Sequence, residues 1–342
     1  MKTVLLLAPA FLDLYKDVIA ELVKQGYKVE YIQDKSFKID PYLIRIKQSS
    51  RFKELIYNLF LCFYWLKIIF RKRGKWKNID ILFTINGMSF HPILLFFLKR
   101  KSKNLKAYLY LWDRTYENYR FERHFKYFDR VATFDRIDAE IYKIGFMPNY
   151  WIPYKNQIDE CYEVFAFGAY RKDRYELFSK INGFYTKNTC ENYIFIYVRQ
   201  QKIDFVWKLK QLIKRILRRN KDSLESLVYD KTLLSHDSLS PKEFREKVYS
   251  SKCIIDTNNN FQEGMTPRFM WALGAGKKII TTNANVKKYP FYDESRIMIA
   301  DDSLDKEKFQ VFMNTPIRHI SDSLISVYRI DNWLKFIIGD NK

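Results

Sequence analysis

Glycine, proline, cysteine and histidine are all scarce in this sequence, at 10, 9, 4 and 4 residues among 342. So little glycine and proline excludes collagen-like, linker-like and turn-dense all-β chains. The cysteines, Cys62, Cys161, Cys190 and Cys253, form no Cys-x-x-Cys pair and sit in apolar or strand-like surroundings. That pattern excludes a disulfide framework and a zinc site, and it fits a reducing, cytoplasmic compartment. The histidines show no H-E-x-x-H or H-x-H spacing, so no metal is expected. No apolar run reaches the roughly 18 residues that span a bilayer. The opening "MKTVLLLAPAFLDLYKDVIAELVKQG" has a short apolar core that passes at once into helical periodicity. It reads as a strand (Val4 to Ala8) and a helix (Phe11 to Lys24) rather than a signal peptide.

Acidic residues are also in deficit, 39 against 60 Lys and Arg, for a formal net charge of +21. Such a balance attracts polyanions, and a lysine-rich soluble surface produces it equally well. No RNP, KH, helix-turn-helix or zinc-finger signature is present, and the positive charge is spread through both halves. No nucleic-acid partner is therefore expected.

Hydrophobic residues make up 47% and aromatics 18%, enough to bury two cores of ordinary size. Over residues 1–150 strands alternate with helical stretches: "TVLLLA", "KVEYIQD", "DILFTIN", "KAYLYLWD" and "RVATFD" are the strands. This alternation implies βαβ units and a parallel sheet. Asn86, Asp113 and Asp135 end their strands, on the edge where doubly wound sheets form a ligand crevice. Residues 151–162 carry Pro153 and no clean period, and read as a linker. A second alternation fills 163–320, with strands "EVFAFGA", "NYIFIYVR", "KCIID" and "KKIITTN", helices "YELFSKINGFYTKN" and "PKEFREKVYSS", and a long basic helix "FVWKLKQLIKRILRRNK". Residues 321–342, with "SDSLISVYRIDNWLKFII", read as one terminal helix. The expected fold class is α/β, two Rossmann-like domains facing across a cleft.

The chemistry concentrates in "DTNNNFQEGMTPRFMWALGAGKKIITTN", Asp256 to Asn283. A strand ends in a polar loop, Thr266 is a good N-cap and Pro267 a good first helical residue. The helix N-terminus then presents its free N–H groups, an arrangement that favours anions. Arg268 suits phosphate oxygens. Glu263 in the loop is an acceptor for sugar hydroxyls, and Asp256 and Thr257 end the strand beside the same pocket. A phosphate clamp together with a hydroxyl acceptor suits a nucleotide sugar.

This segment resembles the donor-binding element of GT-B glycosyltransferases, especially bacterial ones that build lipopolysaccharide and capsule. The resemblance rests on Glu263-Gly264, Thr266-Pro267-Arg268, Trp271-Ala272-Leu273-Gly274-Ala275-Gly276 and the strand from Ile279 to Asn283. "FDRIDAEIYKIGFMPNYW" is similar to the end of the N-terminal domain in such enzymes. "FAFGAYRKDRYELFSKI" is similar to the start of the C-terminal domain, where Gly168 and Arg171 are implied to approach the donor phosphates. The resemblance implies a transferase that passes a sugar from a nucleotide donor to a glycan or lipid-linked acceptor, with the donor on the C-terminal domain. Trp271 departs from the pattern, which has a ribose-binding glutamate there. Two roles fit it: its face stacks on a base or ring, or it packs in the core. No Asp-x-Asp occurs, in agreement with a metal-independent enzyme without a cofactor, in which helix dipole and basic side chains neutralise the leaving phosphate.

For proton transfer, Asp113 in "YLWDRTYE" is a candidate general base or a helix N-cap. His91 in "SFHPIL" is a second candidate, or a cap before Pro92. Glu263 is the third residue in this catalytic group. A last feature lies in "LIYNLFLCFYWLKIIFRKRGKWK", an apolar-aromatic stretch running into Arg71, Lys72, Arg73, Lys75 and Lys77. It suits either a helix docked on an anionic membrane surface, on the inner face of the cytoplasmic membrane, or a buried helix with a solvated basic end.

Overall fold

A computed structural model describes residues 1–35, 51–115, 121–154, 159–185, 192–198, 231–258 and 263–339. Strands β1 (Thr3–Ala8), β2 (Lys28–Gln33), β3 (Ile81–Ile85), β4 (Lys106–Leu111), β5 (Arg130–Thr133) and β6 (Gly145–Phe146) form one six-stranded sheet, ordered β2-β1-β3-β4-β5-β6. A second six-stranded sheet runs β12-β11-β10-β7-β8-β9, from β7 (Tyr162–Ala169), β8 (Tyr193–Tyr197), β9 (Leu234–Ser235), β10 (Ser251–Asp256), β11 (Lys278–Thr281) and β12 (Ile297–Ile299). All pairings are parallel. The apolar runs of the sequence explain this: β3 is "ILFTI" and buried at every position, as a strand covered on both faces must be.

Helices α1 (Leu14–Lys24), α2 (Arg51–Lys72), α3 (Pro92–Lys101) and α4 (Arg136–Tyr142) belong to the first half. In α1 the buried Leu14, Val18 and Leu22 recur every four residues, one stripe against the sheet. The second half carries α5 (Lys172–Asn182), α6 (Pro241–Tyr249), α7 (Pro267–Gly274) and α8 (Lys306–Asn314). A capping box between Ser240 and Glu243, with Pro241 at the first position, starts α6. Of the sequence expectations, the basic helix from "FVWKLKQ" onward lies outside the described residues. The helix expected from "YELFSKINGFYTKN" ends at Asn182, with Gly183 as its C-cap. β6, β9, β12 and α8 are too short or too weakly periodic to be read from sequence.

The expected terminal helix is instead two, α9 (Asp322–Ser326) and α10 (Ile330–Ile338). The break has a cause far away in the chain. Trp151 donates its backbone N–H to the Tyr328 carbonyl at 3.1 Å, and its own carbonyl accepts from Ile330 N–H at 3.0 Å. Its indole N–H donates to the Ile325 carbonyl at 2.9 Å, and its ring covers Gly274, where a Cβ would stand 2.3 Å from it. Two backbone groups drawn into this bridge cannot continue a helical ladder. Beyond the break, α10 returns to the first half and packs on α1, β4 and β5. Its Trp333 is fully buried, with ring centroids 4.7 Å from Tyr110, 4.8 Å from Tyr150 and 6.1 Å from Phe83. One apolar cluster thus runs continuously through both halves, and two others fill the outer faces of the two sheets.

Truncating Trp333 to alanine should cost about 3–5 kcal/mol in urea unfolding, since it leaves a large cavity among aromatic rings. Phe336→Ala on the same helix, at a half-exposed position, should cost clearly less. Equal losses would mean that α10 is not anchored through Trp333.

Candidate functional site

The candidate residues lie at or just past the carboxyl ends of strands in the two sheets. At the end of β3, Asn86 and Gly87 take positive φ (61° and 74°), a sharp turn that asparagine and glycine adopt most readily. Asn86 then staples two strand ends: its N–H donates to the Tyr110 carbonyl at 2.9 Å, its Oδ1 accepts from Trp112 N–H at 3.0 Å, and its amide donates to Asp113 Oδ2 at 2.5 Å. Asp113, just past the end of β4, is therefore oriented by Asn86. Beneath this turn the buried Asp34 accepts from the N–H of Met88 and Ser89 and from the Ser89 hydroxyl, at 2.7, 2.7 and 2.6 Å. Burial raises its pKa against those three donors.

His91 is the N-cap of α3, its Nδ1 accepting from Ile93 N–H at 3.3 Å. Of its two expected roles, the cap is the one its geometry fills. Burial lowers its pKa. Nearby His124 stacks edge-on against Phe90 at 5.4 Å. Burial first, then the charges of His91, Arg123 and Lys126, push its pKa down to about 4.

Asp135 sits at the centre of the junction and is fully buried. Its Oδ1 caps α4, accepting from Ile137 and Asp138 N–H at 3.1 and 3.3 Å. Its Oδ2 accepts across the junction from Glu263 and Gly264 N–H at 3.1 and 3.3 Å. Asp138 instead receives Thr115, through N–H at 2.7 Å and hydroxyl at 3.1 Å. Arg114 lies 3.5 Å from Asp135 and 3.9 Å from Asp138. The crossing is close: a Cβ on Gly264 would stand 2.4 Å from the Phe134 ring. Asn149 adds a further bond, its amide donating to the Met265 carbonyl at 3.0 Å.

On the second half, three guanidiniums converge at the ends of β7 and β10: Arg171, Arg174 and Arg268. Arg171 forks onto Asp173 at 2.6 Å through two nitrogens and donates to the Asn258 carbonyl at 2.6 Å. Arg174 donates to the Thr257 hydroxyl at 2.7 Å and the Ala169 carbonyl at 2.6 Å. It lies close over Gly168, where a Cβ would be 2.7 Å from its Nη1, so a side chain there would push the guanidinium aside. Burial, then the like charges of Arg268 and Arg171, depress its pKa to about 10. Arg268 donates to the Ile255 carbonyl at 3.2 Å and lies 3.8 Å from Asp256. Burial lowers its pKa as well. Asp256 accepts from the Thr266 hydroxyl at 2.7 Å, and Thr266 caps α7 by accepting from Phe269 N–H at 3.1 Å. Pro267 holds the first position of that helix.

Glu263 is fixed by its backbone, through Asp135 and through its carbonyl, which accepts from Asn283 Nδ2 at 3.0 Å. Among the described residues its carboxylate meets the exposed Lys288, at 3.2 Å. Thr282 joins Asn258 at 2.8 Å beside it.

Trp271 takes the core role, not the stacking one. It is 1% exposed, its ring 6.0 Å from Phe244, with Arg245 5.6 Å over its face. Arg245 in turn binds both carboxylate oxygens of Asp17 on α1 at 2.8 Å. A ring enclosed by Phe244 and Arg245 is not open to a base, so Trp271 does not offer the donor a stacking face. Two further residues belong here that the motif does not name. Arg174 is one, and its place three residues after Arg171, which precedes the first turn of α5, is the signal for it. The other is Asp135 in its second task, which no local pattern announces.

No family model matches the chain, and no curated protein matches it. Solved structures do. AviGT4, a glycosyltransferase involved in avilamycin A biosynthesis, is similar at a TM-score of 0.51 and 8% identity, over 98% of this chain and 96% of that one. The N-terminal domain of Candida albicans trehalose-6-phosphate phosphatase is similar at 0.50 and 8%, over 98% and 95%. At such identities the likeness concerns the fold, which is GT-B: two Rossmann-like domains facing each other.

Asp135→Ala should cost about 2–4 kcal/mol, because it strands four sheltered N–H groups. Asp135→Asn keeps one acceptor oxygen and should fall between. Amide exchange at Glu263 and Gly264 should quicken in both variants. Unchanged exchange would show that the carboxylate does not hold this loop.

The buried His124 gives a pH dependence of known sign. Below pH 6.5 the unfolded chain takes up a proton on this ring that the folded chain refuses until about pH 4. Its contribution is therefore present above pH 6.5 and lost as pH falls through that window, by about 1–3 kcal/mol. Wild type should lose more stability than His124→Gln between pH 7 and pH 4; parallel curves would refute the assignment.

Proposed function

We propose that this chain is a glycosyltransferase that moves a hexosyl or related sugar from a nucleotide diphosphate donor to a glycan or lipid-linked acceptor. The observation that carries the reading is the convergence of Arg171, Arg174 and Arg268 on the strand ends beside the N-terminus of α7. Partly buried guanidiniums beside the positive end of a helix suit a diphosphate, although Pro267 has no N–H and Thr266 takes that of Phe269. Glu263, its backbone pinned and its carboxylate paired with an exposed lysine, is the acceptor for sugar hydroxyls. Gly168, Thr257, Gly264, Thr266 and Pro267 shape the cradle, and the Asp256 carboxylate offsets part of its charge beside Arg268.

In the proposed reaction the acceptor oxygen attacks the anomeric carbon and the bond from that carbon to the diphosphate oxygen breaks. The acceptor proton passes to Asp113, which Asn86 orients. Negative charge gathers on the leaving diphosphate, where Arg174 and Arg171 stabilise it in a sheltered site without a metal ion. His91, engaged as a cap, is better suited to supporting this edge than to proton transfer. The resemblance of the Glu263–Asn283 segment to lipopolysaccharide and capsule enzymes supports a role in bacterial surface polysaccharide synthesis, on the inner face of the cytoplasmic membrane. A second reading has its own support. With Trp271 buried where such enzymes carry a ribose-binding glutamate, a donor-binding protein without transfer activity is the alternative.

Without added metal, one nucleoside diphosphate of a UDP, GDP, CDP and ADP panel should raise the melting temperature. Arg174→Ala should weaken that ligand about tenfold or more, the loss expected when a charged hydrogen bond is removed. Asp113→Asn should keep the affinity and lower turnover at least a hundredfold. Binding without turnover in wild type would favour the second reading. No nucleotide binding at all would overturn both.

A further inference from the structure

Helix α2 is apolar on two faces. One face carries the buried Leu61, Trp65 and Ile69, the last two packed in the cluster on the first sheet, and the Trp65 indole N–H donates to the Ser89 carbonyl at 2.6 Å. At 100° per residue, Leu55, Leu59, Phe63, Leu66 and Phe70 form a second stripe turned away from the first. These five are 43–69% exposed, and Ile56 and Phe60 widen the stripe on the side farther from the sheet. Single exposed apolar residues are ordinary; a continuous row along most of a 22-residue helix marks an interaction surface.

The charges beside the stripe select its partner. From Leu55 to Lys77 there is no Asp or Glu, and six residues are Lys or Arg. Arg71, Lys72, Arg73, Lys75 and Lys77 are all exposed where the stripe ends. On α3 the exposed Phe96 is followed by exposed Lys99, Arg100 and Lys101. No described helix is long and apolar enough to cross a membrane. A helix with one face anchored in a folded domain, another face of leucine and phenylalanine, and only cationic residues at its end matches a bilayer surface with anionic headgroups. Apolar side chains enter the acyl boundary while lysines and arginines meet the lipid phosphates.

We infer that the outward stripe of α2, from Leu55 to Phe70, with the basic cluster from Arg71 to Lys77, docks this protein on an anionic lipid surface, lying in the interface rather than spanning it. The inference does not depend on sugar transfer, because it concerns a face remote in chemistry from the arginine cradle. It places that cradle on a protein held at a membrane, where an acceptor with a lipid tail would be met.

The test is co-sedimentation of the full chain with vesicles of phosphatidylcholine alone or mixed with phosphatidylglycerol. Wild type should bind the mixed vesicles at least tenfold better than the neutral ones, and raised salt should weaken the binding. The triple variant Leu59→Ser, Phe63→Ser, Phe70→Ser should lose this binding. The double variant Arg71→Ser, Lys72→Ser should lower it about tenfold. Circular dichroism and nucleotide-induced melting shifts should match wild type in both variants, which separates loss of docking from loss of fold or of the donor site. Wild type that ignores mixed vesicles would overturn the inference, as would binding that survives both variants. So would a dimer that the triple variant dissolves, since the stripe would then belong to a second copy.

Discussion

A single buried carboxylate sets the geometry on which the rest depends. Asp135 places one oxygen on the start of α4 and the other on the two N–H groups of Glu263 and Gly264, 128 and 129 residues away. A carboxylate serves this purpose because its two oxygens accept several hydrogen bonds at once. Gly264 makes the contact possible, since any side chain would enter the Phe134 ring. With Asn149 bonded to the Met265 carbonyl, the loop before α7 is registered to the strand end of the opposite domain. On the loop's side that registration uses backbone atoms alone and leaves the Glu263 carboxylate for other chemistry.

A second tie lies around α7. Five consecutive residues of this eight-residue helix, Phe269 to Leu273, are buried, so it is enclosed rather than laid on a surface. Trp271 points to α6, meeting Phe244 and the guanidinium of Arg245 over its ring, and Arg245 reaches Asp17 on α1. A residue type expected to be polar at that position has become part of an apolar and cationic link between the halves. Burial raises the Asp17 pKa and Arg245 opposes the rise, as expected of a half-sheltered ion pair. The link ties α6 and α7 to the first domain through contacts that Asp135 does not share.

How much of this is legible in the sequence follows from how local each determinant is. Both halves, nearly every long strand and the start of α7 come from runs and caps that need only neighbours, such as "ILFTI" and the Thr266-Pro267 start. The split of the terminal helix does not, because its cause is Trp151, 174 residues before the Ile325 carbonyl it binds. The second bond of Asp135 and the burial of Trp271 are equally non-local. Arg174 is different, for its place three residues after Arg171 is visible. It draws no notice in the sequence because one arginine already fills the expected role. The two-faced nature of α2 is half visible: the apolar stretch and basic end are plain, but only packing says which face is covered.

The arginine cradle shows what an electrostatic surplus implies. Arg171, Arg174 and Arg268 face Asp173 and Asp256, three positive charges against two negative, with the N-terminus of α7 adding to the positive side. The depressed pKa of Arg174 has burial as its main cause and its two arginine neighbours as the next. Folding has thus brought cations together at a cost in desolvation and repulsion. Structural needs alone do not call for the surplus, because Thr257 and the carbonyls of Ala169, Ile255 and Asn258 would be served by neutral donors. An anion seated there would relieve the repulsion and lie at the positive end of α7. Its binding energy would therefore include relief of repulsion built into the cradle itself and, under the proposed function, it would rise as the leaving diphosphate gains charge. That differential is what a transfer reaction requires of its phosphate site.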